Sequence, residues 1–208
     1  MCIRDSPTDV HYLEHTSTLV LNGGGASALF TDFRPCLDDP TTCEWAFAGA
    51  KTYLPDGCAC WTHDIDSRRD PSLDDSAEDA PDVGACETLP NGDELERGEM
   101  CNPVTRRLEA YEELWREEAI PPGSRVRVLV RRTTDAARLR GVYVQIAAWA
   151  QIVTADEGGR VGACRWKLGG DGQWALEEQY NELANAPTPM ETDDCADWEI
   201  IEDYFWTG

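Results

Sequence analysis

Cys58, Cys60 and His63 lie close together in the sequence, and three such side chains are the start of a zinc site. A structural zinc centre takes four ligands, usually as two close pairs, so Cys86 or Cys101 would have to arrive through folding. The simpler reading is a strand with alternating cysteines followed by a loop histidine. The single-residue spacer between Cys58 and Cys60 also lacks the two-residue gap of thioredoxin-like redox pairs. His63, Asp64 and Asp66 could form an acid–base cluster. In an extended chain His63 and Asp64 point to opposite sides, while Asp64 and Asp66 share one. No Ser or Cys nucleophile sits in a recognisable motif. Glu112 and Glu113 read as facing solvent or a partner. No catalytic residue, metal ligand or cofactor is therefore assigned, and the chain reads as a non-enzyme.

The aromatic residues are the stronger signal. In Cys43-Glu44-Trp45-Ala46-Phe47-Ala48-Gly49, Trp45 and Phe47 face one way and Glu44, Ala46 and Ala48 the other. Gly49 then lets the backbone bend or another backbone approach. Eight tryptophans are many for this length, and each buried indole N–H needs an acceptor. Glu44, Gln145 and Gln151 are the candidates. Core packing explains such a face most simply. The sharper reading is a stacking pocket at a barrel mouth, or a partner surface, built from Trp45, Phe47, Trp61, Tyr111, Trp115 and Trp149.

These residues need strands to hold them. Residues 17–21 read as a strand, Asn22-Gly23-Gly24-Gly25 as its turn, and residues 28–33 as the return strand. Arg34 opens a proline-containing loop. Strands follow over 45–53 and 59–65. Residues 66–91, rich in Asp, Glu, Pro and Ser, read as a long mobile acidic loop rather than a calcium site. The aromatics around residues 108–117 fit a helix or a strand by periodicity alone. Pro121-Pro122-Gly123 breaks either. Residues 125–132 alternate as a strand, 142–153 read as one long curving strand, and 161–168 with 174–180 as a hairpin. Residues 185–196 read as a loop and 198–205 as the closing strand. Residues 1–6 read as translated adapter sequence. The resulting division is 7–118 and 119–208.

The bulk numbers narrow the function. The chain has 208 residues and a net charge of -22. Such a charge repels phosphate backbones and anionic membranes, so nucleic acid is not an expected partner. No run of roughly 18 apolar residues is present to span a membrane. Nine cysteines at irregular spacing, without an export signal, read as reduced thiols in the cytoplasm or nucleus.

One set of motifs carries a resemblance: Phe33-Arg34-Pro35, Glu44 to Gly49, Trp61 to Arg68, Arg97 to Pro103, Tyr111 to Glu117 and Trp198 to Glu202. In this order they resemble the fungal HRI-one family, named for interaction with a casein kinase I. The resemblance implies an all-β chain of two tandem antiparallel lipocalin-like (calycin-type) β-barrels. It tips residues 108–117 towards a strand. It also implies a protein-interaction module with a casein kinase I as partner, and no enzymatic activity. A carrier of a small apolar ligand is the alternative.

Overall fold

A computed structural model describes residues 2–3, 15–39, 41–69, 82–101, 107–134, 138–183, 186–189 and 197–208. Its regular elements are strands, with no helix among the described residues. The first sheet contains β1 (Cys2–Ile3), β2 (Leu19–Asn22), β3 (Leu29–Pro35), β4 (Cys43–Tyr53) and β5 (Ala59–Trp61). It also holds β6 (Ile65–Asp66), β7 (Asp82–Thr88), β8 (Glu94–Cys101) and β9 (Leu108–Glu117). Hydrogen bonds lead from β3 through β2, β1, β9, β8, β7 and β5 to β4, which pairs back onto β3. This ring of antiparallel strands is a closed barrel, with β6 as an extra pairing on β4.

The second sheet contains β10 (Arg125–Arg132), β11 (Leu139–Ile146), β12 (Trp149–Ala155), β13 (Val161–Leu168), β14 (Trp174–Tyr180) and β15 (Glu199–Phe205). Its order is β14-β13-β12-β11-β10-β15, an antiparallel meander with β15 returning to the far edge. The all-β expectation of two successive barrel-like units holds, and the second unit is a half-barrel.

The two sheets share their largest core. Leu19, Leu21, Phe33, Ala46 and Ala48 of the first sheet pack with Val126, Val128, Val142, Val144 and Val153 of the second. Burying an aliphatic side chain contributes about 1.5–3 kcal/mol, against a net of about 1 kcal/mol for a hydrogen bond. The apolar contact therefore supplies most of the adhesion. A polar seam within it fixes how the sheets meet. Gln151 Nε2 donates to the carbonyls of Leu19 and Thr31 at 3.0 and 3.1 Å. Its Oε1 accepts from Arg165 Nε at 3.0 Å, and Arg165 in turn donates to the carbonyls of Ser17 and Phe33. Burial pulls the Arg165 pKa down to about 10, which leaves it charged at neutral pH.

The triple-glycine turn joins the same contact. Glu202 of β15 accepts from the backbone N–H groups of Gly25 and Ser27 and from the Ser27 hydroxyl. A Cβ on Gly25 would lie 2.6 Å from the Glu202 carboxylate, so this close approach needs glycine.

Several expected boundaries change. Residues 82–88, placed within the acidic loop by composition, form β7. Residues 70–81 of that loop lie outside the described residues, as do most of 185–196. Cys2–Ile3, expected to carry no fold information, pair with β2 and β9. Arg34 and Pro35 belong to β3 rather than to a loop. Residues 142–153 are not one strand but parts of β11 and β12, joined by a two-residue turn in which Ile146 pairs Trp149. Ala147 takes a φ of 53° there, a conformation normally signalled by Gly or Asn. Without either residue at the turn, alternation ran straight through it.

Replacing Gln151 with Leu keeps the volume but removes the donor to the Leu19 and Thr31 carbonyls and the acceptor of the Arg165 Nε–H. Leaving such groups unsatisfied costs about 1–3 kcal/mol each. A loss of at least about 2 kcal/mol is expected in urea unfolding; an unchanged midpoint would show that the seam contributes nothing.

Candidate functional site

The interior of the first barrel opens to solvent as a pocket. Alternation along the strands builds its wall. β2 turns Val20 and Asn22 inward, β3 Phe30, Asp32 and Arg34, and β4 Trp45 and Phe47. β9, a strand as the resemblance implied, adds Tyr111, Glu113 and Trp115. β8 adds Glu94, Glu96 and Met100, and Trp61 and Asp82 complete the rim of aromatics and carboxylates.

Five of the six expected residues, Trp45, Phe47, Trp61, Tyr111 and Trp115, thus meet around one space. Trp149 does not. It lies on the second sheet, where the Lys167 ammonium sits 4.6 Å from its ring centroid.

Arg34 organises one side. It is 3% exposed, donates to Asp32 at 2.8 Å and to Glu113 at 2.6 Å, and lies 5.1 Å from the Trp45 ring centroid. Burial alone would lower its pKa, but the charges of Asp32 and Glu113 reverse this and hold it well above the ordinary arginine value. Glu113 therefore points inward, contrary to its expected solvent-facing role, while its neighbour Glu112 points outward to Arg97. Adjacent strand residues must diverge in this way.

His63 forms a second node. Its Nδ1 lies 3.1 Å from Asp66 and its Nε2 3.1 Å from Asp82, and its ring leans on Phe47 at 4.5 Å. Burial opposes its charge, but the two carboxylates push its pKa up to about 9. The expected cluster is rearranged: a bend brings His63 to Asp66, whereas Asp64 bonds Thr62. An imidazolium with both N–H groups engaged has no lone pair for a base or a metal. Among the described residues no three such side chains group as a metal site.

The indole acceptors also differ from those expected. Trp45 Nε1 donates to Asp66 at 2.7 Å, and Trp115 Nε1 to Glu96 at 3.0 Å. Glu44 instead takes Arg68, Gln145 accepts from the Tyr143 hydroxyl, and Gln151 holds the sheet seam.

Glu96 is the least expected member. Burial pushes its pKa up to about 7, against the pull of the Tyr111 hydroxyl. That hydroxyl lies 2.7 Å from Glu96 and 3.1 Å from Asp82, with one proton for two carboxylates. A proton on Glu96 completes both bonds: Glu96 donates to Tyr111, and Tyr111 donates to Asp82. Room for the phenol ring comes from Gly98, where a Cβ would lie 2.7 Å from the ring.

A family model for Protein HRI1 matches residues 3–204. The chain belongs to the HRI1 family. Among solved structures it is similar to the uncharacterized protein YLR301w from Saccharomyces cerevisiae, with a TM-score of 0.71 and 17% identity over 98% of each chain. At that identity the likeness concerns the fold alone. No match is found among curated proteins.

Sequence reasoning missed Asp32, Arg34, Asp82, Glu94, Glu96 and Glu113 of this HRI1-family pocket. A signal for β3 was present: Phe30-Thr31-Asp32-Phe33-Arg34 alternates, putting Asp32 and Arg34 on the Phe30 side. In β7 and β8 the inward positions are mostly carboxylates and glycines, with Cys86 and Met100, which do not read as a buried face.

Two pH dependences follow. Glu96 has a folded pKa above its ordinary value, so its stabilising contribution is present below about pH 4.5 and is lost as pH rises through about 7. Glu96→Gln should melt near the parent at pH 5 and above it at pH 8; an equal gap at both would reject this. His63 contributes below about pH 6.5 and loses that contribution through about pH 9. His63→Asn should cost roughly 3 kcal/mol at pH 6, with the deficit closing by pH 10 in denaturant titrations.

Proposed function

We propose that this HRI1-family chain is a binding protein that holds a small, flat, largely apolar ligand in its first barrel without transforming it. The observation that carries this reading is the convergence of Trp45, Phe47, Trp61 and Trp115 on one open space. Largely apolar pockets with a few placed polar groups are the usual form of small-molecule sites. The polar groups favour binding over catalysis. Asp32 and Glu113 are committed to Arg34, and Asp66 accepts from Trp45 and the Arg68 N–H as well as facing His63. These bonds hold the rings in place. The aromatic pocket is the feature that supports this reading over docking of a casein kinase I.

Native mass spectrometry and tryptophan quenching against lipid and aromatic libraries test the reading. A bound mass with saturable quenching is the expected result; neither signal with any library would remove it. Trp61 is half-buried at the pocket rim, so Trp61→Ala should weaken binding about tenfold with little change in melting temperature.

A further inference from the structure

We infer that the ligand of the first barrel is an organic cation, an amine carried on a flat apolar or aromatic body, with Glu96 as the group that receives its charge. This rests on the pocket being a binding site. The lining carries the carboxylates of Asp32, Asp82, Glu94, Glu96 and Glu113, and the cations of Arg34 and Lys51. Arg34 lies against Asp32 and Glu113. Asp82 faces the His63 imidazolium at 3.1 Å. Glu96 is different. It is 6% exposed, and its hydrogen-bond partners are the neutral Tyr111 hydroxyl and Trp115 indole. Ionising a carboxyl group buried without a cation is costly, and a bound ammonium would supply the countercharge in place of its proton.

The walls favour the same charge. Aromatic faces attract cations through their quadrupoles. The protein already uses these rings in that way: the Arg34 guanidinium sits 5.7 Å from the Trp115 centroid, and the Lys51 ammonium 5.2 Å from that of Trp61. A carboxylate ligand would meet five carboxylates among the lining groups.

Three naphthalene probes differing only in an aminomethyl, hydroxymethyl or carboxylate substituent test the inference by calorimetry. The ammonium should bind at least tenfold more tightly than the alcohol, and the carboxylate weakest. Glu96→Gln keeps the side-chain shape and should remove that preference. Glu99→Gln, an exposed change on the outward side of β8, makes the same change in net charge and should leave the preference intact. Equal binding of all three probes, a preference for the carboxylate, or a preference that survives Glu96→Gln overturns the ligand class and leaves the pocket reading standing. An equal loss of preference in Glu99→Gln assigns it to the protein's overall charge and also overturns the inference. No binding by any probe overturns both.

Discussion

Strands β2, β3 and β4 are buried on both faces, and nearly everything else in the molecule is arranged around that constraint. One face of β3 carries Leu29, Thr31 and Phe33 towards the second sheet, and the other carries Phe30, Asp32 and Arg34 towards the pocket. β4 does the same with Ala46 and Ala48 against Trp45 and Phe47. Because side chains alternate strictly, a one-residue slip would drive aromatics into the sheet interface and alanines into the barrel. Gly49 reinforces the register. A Cβ there would collide with the Thr62 carbonyl, so the backbone around β4 closes tightly at that point. The pocket is therefore one side of a layer whose other side is the main core. A packing defect in the second half reaches the pocket wall through a single strand thickness.

That layer must also carry buried charge. Apolar filling would be simpler, and removing the solvation of Arg34 and its carboxylates is expensive. The return is a set of rings held at the wall by directional bonds. Trp45 is tied through its N–H to Asp66, Trp115 to Glu96, and Arg34 lies within 6 Å of the Trp45, Phe47 and Trp115 centroids. Such ties fix the orientation of the rings, of which Trp45 and Phe47 stack with centroids 4.1 Å apart.

The all-β class, the two barrel-like units and five of the six aromatic residues were legible from alternation and from the family resemblance. The partners of those aromatics were not. Glu96 and Asp82 lie in stretches whose composition reads as solvated, and only pairing with β5 and β9 turns them inward. His63 and Asp66 meet because the chain bends after β5, which strand periodicity cannot express. Trp149 misled for a different reason. The turn at Ala147 and Ala148 carries no Gly, Asn or Pro, so β11 and β12 read as one ribbon with continuous faces. Alternation reports faces well, but it is silent about which face meets a cavity and which meets another sheet.

The two halves use tryptophan differently, and the difference explains why a pocket forms where it does. On the outer face of the second sheet, Trp166 and Trp198 pack with Leu129, Tyr143 and Ile152. The Trp198 ring lies so close over Gly141 that no Cβ would fit between them. There the indoles pack directly against the apolar side chains of that face. In the first barrel the corresponding space is bounded by β7 and β8, whose inward positions include Asp82, Glu94 and Glu96, with Gly84 and Gly98, beside Cys86 and Met100. Glycines give no bulk, and carboxylates resist being covered by apolar rings unless a donor satisfies them. Tyr111 and Trp115 satisfy Glu96 from the side through their polar tips, which keeps their rings at the wall. The acidic composition that made β7 read as part of a loop thus helps keep the barrel open.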